Sequence, residues 1–343
     1  MKRIKDMPIT LAAIALIFAL IVYSPKAKEG AIIGMRLCEN VIIPSLLSIL
    51  IISNLIIKSR ASLLFNRLFG TIIRHTLNLP AASAAAIILG LTAGYPAGAI
   101  LTHELYENGE ISEDEARRIM RFNLCGGAAF TVTAVGTVLL GSTKSGAVLF
   151  LINILSALIT AALGRLFGKN DNAQNTNCFM KRLTFSQALP EAVDSSAKAL
   201  IIMSAYIVMF SAVFNLLKLP RYLTPIFEIT GGLFNSSSAP SFAMLAFYLS
   251  FGGFCVHLQI YGYLKDMNIP YPDFLFHRLI CASFSFLLAR LYTAFFPSTS
   301  TVFNNTAPAV SRFSQGNVTL SLVLIIGCAV IVLDIENRKL KLA

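Results

Sequence analysis

Apolar residues come in long uncharged blocks, and polar residues gather between them. Runs at 41–57, 122–143, 145–164, 199–217 and 313–333 each approach or reach the roughly 20 residues that an α-helix needs to cross a bilayer. The run 279–296 is as long but carries Arg290. Residues 8–23 form one more apolar run, preceded by Lys2, Arg3 and Lys5. No good small-x-small cleavage site follows it and further spans do, so residues 1–29 read as a retained signal-anchor helix. The pattern predicts an all-α, polytopic membrane protein.

Two more runs, 76–102 and 229–256, are long but internally broken. The first holds Gly94, Tyr95, Pro96 and Gly98, and the second holds Gly252 and Gly253. Proline has no backbone N–H to bond the carbonyl four residues back. Non-helical backbone is tolerated at membrane depth only where protein buries it or where it lines a water-filled cavity. Pro80 and Pro240 suit the first position of a helix, with Asn78 or Ser238 near the cap. Both runs therefore read as pairs of half-helices whose free ends can hold a polar solute. The competing reading is a kinked helix whose glycines serve packing.

Between the spans, residues 62–77 alternate apolar residues with Arg67, Arg74 and His75, the pattern of an amphipathic helix lying in the interface. Ser112 and Glu115 have capping-box spacing, so a charged helix starts near Glu113. Its carboxylates read as a solvated collar. The polar stretch 168–184 separates two halves, and the chain divides into 1–29, a first repeat at 30–168, a linker at 169–187, a second repeat at 188–296 and a C-terminal part at 297–343. A shift of 159 residues places Ser45 on Ser204, Gly94–Tyr95 on Gly253–Phe254 and Asp114 on Asp273. If each broken run returns to the side it entered from, the first repeat has three crossings, and the second enters from the opposite face. That is an inverted repeat, the plan of many secondary transporters. Either count, with both runs returning or both crossing, leaves the basic residues Arg338–Lys341 on the outer side.

Composition agrees with the pattern. The 343 residues are 56% hydrophobic and only 13% charged, with mean hydropathy +0.71. The net charge of +11 comes from short basic loops, including Lys58, Arg60, Arg67, Arg74, Arg117, Arg118, Arg121 and Arg165, so it reads as a cytoplasmic-side signal and not as a nucleic-acid surface. The six cysteines show no CxxC spacing and mostly lie in apolar stretches, as packing residues do. His103-Glu104-Leu105-Tyr106-Glu107 lacks the second histidine of a zinc-protease helix, and no phosphate-binding G-x-x-x-x-G-K-[ST] loop occurs. Neither an enzyme nor a cofactor is expected.

The segments PSLLSILIISNLI (44–56), GLTAGYPAGA (90–99) and EISEDEARRIMRFNLCGGAAFTVTAVG (110–136) resemble the YlbJ-type sporulation integral membrane proteins. These belong to a wider group with a nucleoside-recognition, or Gate, domain. The resemblance implies a bacterial inner-membrane location, a role in spore development and a transport-like scaffold. The candidate substrate-binding residues are Ser45, Asn54, Thr92, Gly94, Tyr95, Pro96, Gly98, Asn123, Gly252, Gly253, His257 and Gln259. Two functions fit: a permease-like carrier of a small polar solute of nucleoside class, or a non-transporting membrane partner of other sporulation proteins. The expected partners are the lipid bilayer with such a solute or such proteins.

Overall fold

The computed structural model describes residues 7–167, 183–217, 222–234 and 240–296. Most of the expected linker, the apolar run 313–333 and the whole C-terminal part 297–343 lie outside the described residues. Within them the chain is helical apart from turns, short connections and an isolated bridge between Ser59 and Leu183. The first half comprises α1 (Met7–Val22), α2 (Ser24–Leu37), a π-helical turn (Cys38–Ile42), α3 (Ile43–Lys58), α4 (Ala61–Leu77), α5 (Ala84–Ala93), α6 (Ala97–Glu107), α7 (Glu113–Met120), a π-helical segment (Ala129–Leu139) and α8 (Thr143–Phe167). The second half holds α9 (Phe185–Leu217), α10 (Thr224–Phe227), α11 (Ile229–Phe234), α12 (Phe242–Phe251), α13 (Gly253–Asp266) and α14 (Tyr271–Phe295). Four helical stretches are long and apolar enough to cross a membrane, and up to six are if each bent pair counts as one.

α2 and α3 follow one path, bent by 57°, antiparallel to α9. Gly30 and Gly34, one turn apart, let the backbones meet: a Cβ on Gly34 would lie 2.8 Å from the Val208 Cα, and one on Gly30 2.9 Å from the Ala212 Cα. Small residues at this spacing are a usual means of close helix contact in lipid, where apolar burial gives no preference for a neighbour over the acyl chains. The sequence pattern misses α2 as part of a crossing because Lys26, Lys28, Glu29 and Arg36 interrupt it.

Basic residues collect at one end of the bundle. Arg118 donates to the carbonyls of Leu77 and Asn78, and Arg165 to those of His75 and Thr76, so two cations cap the C-terminus of α4. Lys58, at the end of α3, pairs with Glu104 near the end of α6 at 2.7 Å. α4 turns by 114° into the following half-helix, buries Ser62, Gly70, Ile73 and Leu77, and leaves Leu64, Leu68 and Ile72 outward. A helix at a steep angle to its neighbour, with a second apolar face uncovered by protein, is what the in-plane reading of this segment requires. α7 starts at Glu113, and its capping box forms: Ser112 Oγ accepts from the Glu115 N–H at 3.3 Å while Glu115 Oε2 accepts from the Ser112 N–H at 2.7 Å.

The two broken runs differ. α5 and α6 fold back on each other, since a Cβ on Gly90 would lie 2.8 Å from the Cα of Gly98, four residues to either side of Gly94. This run enters from the basic end and returns to it. α12 and α13 instead continue in one direction along α14: Phe242 stacks near Tyr292, Ser250 bonds Cys281, and His257 packs on Phe274. The expectation that both runs return is corrected here for the second. Gly94 and Pro96 together reverse the chain, whereas Gly252, with no proline after it, closes α12 in a left-handed conformation and lets α13 resume ahead.

Leaving α1 aside, the helix directions give three crossings in each half within the described residues. In the first they are α2–α3, residues 122–139 and α8; in the second α9, α12–α13 and α14. α3 runs toward the basic end and α9 away from it, so the halves enter from opposite faces, as an inverted repeat requires. Leu151, Leu155, Ile202, Met209, Leu287 and Leu291 point outward and form the surface that a bilayer would cover.

Candidate functional site

The run 122–143 is not one helix. Residues 123–127 are non-helical and pass across the tip of the α5–α6 hairpin, before the π-helical segment begins. The crossing is backbone on backbone. A Cβ on Gly98 would fall closer than 3.0 Å to the Asn123 carbonyl, one on Gly94 to the Gly127 amide, and one on Gly127 to the Ala93 carbonyl. Gly94 also has φ +84°, which side chains other than glycine rarely adopt.

Unwound backbone at this depth must find its hydrogen bonds within the protein. The Tyr95 N–H donates to the Cys125 carbonyl at 3.0 Å, and the Gly126 N–H to the Leu249 carbonyl on α12 at 3.0 Å. Asn123 Nδ2 donates to the Ala86 carbonyl at 3.1 Å. Arg278 of α14, 1% exposed, turns its guanidinium inward and donates to the carbonyls of Leu124 and Arg121. Arg121 itself forks onto Asp273, with bonds of 3.0 and 3.2 Å. The two halves are thus stapled at the unwound stretch by one guanidinium from each.

Beside this stretch lies a narrow, largely apolar cavity with room for water-sized occupants. Its walls come from both halves: Ile42, Leu46, Tyr95, Gly127 and Phe130 on one side, and Met203, Ile207, Glu228, Ile229, Thr230, Cys255, Val256 and Gln259 on the other. The Tyr95 ring also reaches the second break, where the Cβ position of Gly252 is 3.5 Å from it. The polar atoms facing the cavity are few. Glu228, 2% exposed, precedes α11 and accepts from the backbone N–H groups of Thr230 and Gly231. Gln259 Nε2 bonds Cys255 Sγ at 3.4 Å, and the buried Oε1 has no partner among the described residues. The Tyr95 hydroxyl is buried and likewise has no partner among the described residues.

A comparison with curated proteins matches the sporulation integral membrane protein YlbJ of Bacillus subtilis (strain 168), 26% identical over 356 aligned positions that cover 87% of this chain and 87% of that protein. The chain is YlbJ-like along most of its length. No protein-family model matches it, and no solved structure does. With the helices described above, the likeness supports a multi-pass integral membrane protein.

Of the residues singled out from the sequence, Tyr95 and Gln259 line the cavity, and Gly252 meets the Tyr95 ring. Gly94, Gly98, Pro96 and Asn123 form the hairpin tip and its crossing with residues 123–127; the Pro96 carbonyl accepts the first N–H groups of α6, from Ala99 and Ile100. Gly253 faces the carbonyls of Pro225, Ile226 and Phe227. The remaining residues sit elsewhere. Asn54 bonds Ser196 at 2.8 Å and fastens α3 to α9. Thr92 is exposed and bonds the Ile88 carbonyl of its own helix. His257 is held between the Tyr271 hydroxyl and the Phe251 carbonyl, both at 3.1 Å, inside a cluster of aromatic rings. Ser45 lies on α3, with its side chain outside those described.

Sequence reasoning misses Glu228, Thr230 and Arg278. A lone carboxylate just before the apolar run 229–256 reads as the flank of a span, and Arg278 reads as the flank of 279–296. The available signal is that neither charge has a neighbour of opposite sign within a helical turn on its apolar side. Arg290, inside the run 279–296, is exposed.

Proposed function

We propose that this chain is a permease-like carrier of a small polar solute, acting in spore formation at the bacterial inner membrane, on a nucleoside-recognition (Gate) type of scaffold. The observation that carries the reading is the meeting of a re-entrant hairpin, an unwound crossing and an interrupted crossing around one buried cavity with a carboxylate, an amide oxygen and a phenol. Inverted halves with broken helices at mid-depth suit alternating access, in which one half rocks against the other around a fixed site. The present cavity corresponds to a closed form. The likeness to a sporulation membrane protein supplies the cellular setting.

The competing role, a non-transporting partner in a spore-assembly complex, places the contact surface on the charged collar and linker. Collar side chains are engaged within the chain, however: Arg121 with Asp273, Asn268 with Glu113, and His103 between Glu107 and Asp266. That favours the carrier. The test replaces cavity groups and leaves the collar intact. Tyr95→Phe and Gln259→Ala, at normal membrane levels, are expected to lower both spore yield in the host and uptake of radiolabelled nucleosides by proteoliposomes. Normal spore yield in both variants overturns the carrier reading.

A further inference from the structure

The basic end of the bundle holds a cleft that the carrier reading does not use. Two guanidiniums bond four consecutive carbonyls at the C-terminus of α4: Arg165 those of His75 and Thr76, and Arg118 those of Leu77 and Asn78. That run of carbonyls fixes the two side chains beside each other. Next to them a small cavity opens between α4, α7 and α8, walled by Arg118 and Arg121 and by the apolar Leu77, Leu79, Phe122 and Ala161. Gly164 also lines it, and nothing lies within 4 Å of the position its Cβ would take.

Positive charge is in excess here. A helix C-terminus offers roughly half a negative charge, and two guanidiniums exceed it. The nearby carboxylates are committed elsewhere: Asp273 to Arg121, Asp114 to Arg117, and Glu115 to the Ser112 N–H. Neither Arg118 nor Arg165 pairs with a carboxylate among the described residues. Arg165 uses Nη1 for both of its carbonyls, and its Nε and Nη2 have no partner among the described residues. Burial first, and then the charges of Arg121 and Arg165, push the Arg118 guanidinium below its ordinary value, against the opposing effect of Glu115 and Asp114. The three cations are therefore close enough to repel one another. The stretch that follows in sequence adds Lys169, Lys181 and Arg182 against the single acid Asp171.

An apolar track leads to this cluster. Leu151, Leu155, Leu158 and Ala162 are exposed at intervals of four, three and four residues, so they share one face of α8, and Arg165 ends the stripe. An amphiphile laid along the stripe rests its acyl chains on the leucines and brings its headgroup to the arginines. Basic residues mark the cytoplasmic side, where anionic lipids give the leaflet its negative surface potential. Guanidinium forks match phosphate oxygens. We propose that Arg118 and Arg165, with Arg121 beside them, hold the phosphodiester of an anionic glycerophospholipid in the cleft between α4, α7 and α8. The lipid ties α4 to the crossing helix α8 shortly before the α5–α6 hairpin begins. The inference rests on the multi-pass membrane placement and not on transport.

The experiment is a scintillation proximity assay with tritiated dioleoyl phosphatidylglycerol and delipidated full-length protein in detergent. Unlabelled phosphatidylglycerol is expected to displace the label at least about tenfold better than dioleoyl phosphatidylcholine. Arg165→Gln should weaken phosphatidylglycerol binding about fivefold, the usual effect of one basic residue at an anionic surface, and leave phosphatidylcholine binding unchanged. Arg165 also caps α4, so Gly164→Leu serves as a second variant that keeps every cap and fills the cleft; it too should weaken binding. Arg67→Gln, about 15 Å back along α4, should leave binding unchanged. Excess inorganic phosphate should leave the lipid in place. Equal displacement by the two lipids in monodisperse wild-type protein overturns the proposal, as does unchanged binding in both Arg165→Gln and Gly164→Leu. An equal loss in Arg67→Gln reduces the effect to general surface charge, and release of the lipid by phosphate assigns the cluster to a free anion; either result overturns it. Nucleoside uptake is scored separately, so failure of the carrier reading leaves the lipid result standing, and the reverse.

Discussion

Gly98→Ala is expected to abolish the folded protein. The added methyl group would meet the carbonyl of Asn123, a backbone atom, closer than any real Cβ contact. Neither side can retreat. α6 is held by its hairpin partner, where Gly90 touches Gly98, and residues 123–127 are fixed by bonds to Tyr95, Leu249 and Arg278. Overpacking a tight site with flexible neighbours costs about 1–3 kcal/mol, and a rigid backbone neighbour puts this case above that range. Gly127→Ala makes the reciprocal clash with the Ala93 carbonyl and should behave alike. Gly164→Ala and Gly262→Ala are the controls, because nothing lies within 4 Å of either Cβ position. Both controls sit in helices, where alanine is favoured over glycine by up to about 1 kcal/mol. Size-exclusion profiles and melting temperatures of the detergent-purified variants read the difference. A monodisperse Gly98→Ala protein that melts like wild type would refute the backbone crossing.

Arg278→Met is expected to be nearly as damaging for a different reason. Methionine fills much of the space but leaves the carbonyls of Leu124 and Arg121 without their donor. A buried acceptor left unsatisfied costs about 1–3 kcal/mol, and two of them about 2–6 kcal/mol. The partners lie on the unwound stretch itself, so the loss should loosen the hairpin crossing and the contact between halves together. Arg278→Lys keeps the charge but not the planar fork and should recover only part of the stability. Melting temperature checks both variants. Asp273→Asn offers a graded comparison, since the Arg121–Asp273 pair is partly exposed and contributes less.

Much of this architecture can be read from residues alone. Long uncharged runs give α8, α9 and α14, and Ser112 with Glu115 gives the start of α7. Gly94 and Pro96 give the first break because proline and positive φ act locally, without help from the rest of the fold. Three features stay hidden, the first two because their partners are distant in sequence. Residues 122–127 are uncharged, with Gly126–Gly127 inside, and nothing local distinguishes a helix from a non-helical stretch bonded to Tyr95, Leu249 and Arg278. The second break looks like the first, yet its direction is set by packing on α14. Counting it as a crossing changes by one the parity of everything after it, which removes the basis for placing Arg338–Lys341 on the outer side. Glu228 looks like a boundary charge until α11 is seen to cap it with two N–H groups. In the first two cases the deciding contact joins residues that a sequence pattern cannot pair.

The central claim is that the breaks shelter a cavity between the halves, with a few polar groups in a largely apolar lining. Leu258 and Gln259 test it as neighbours with opposite fates: Leu258 is 46% exposed on the bilayer-facing surface, and Gln259 lines the cavity. The measurement places a single cysteine at each position in an otherwise cysteine-free protein and follows its reaction with a charged, water-soluble thiosulfonate in membrane vesicles. The account predicts that Gln259→Cys reacts as the carrier opens, while Leu258→Cys stays inert in lipid. Reaction at 258 with none at 259 would contradict it, and so would silence at both.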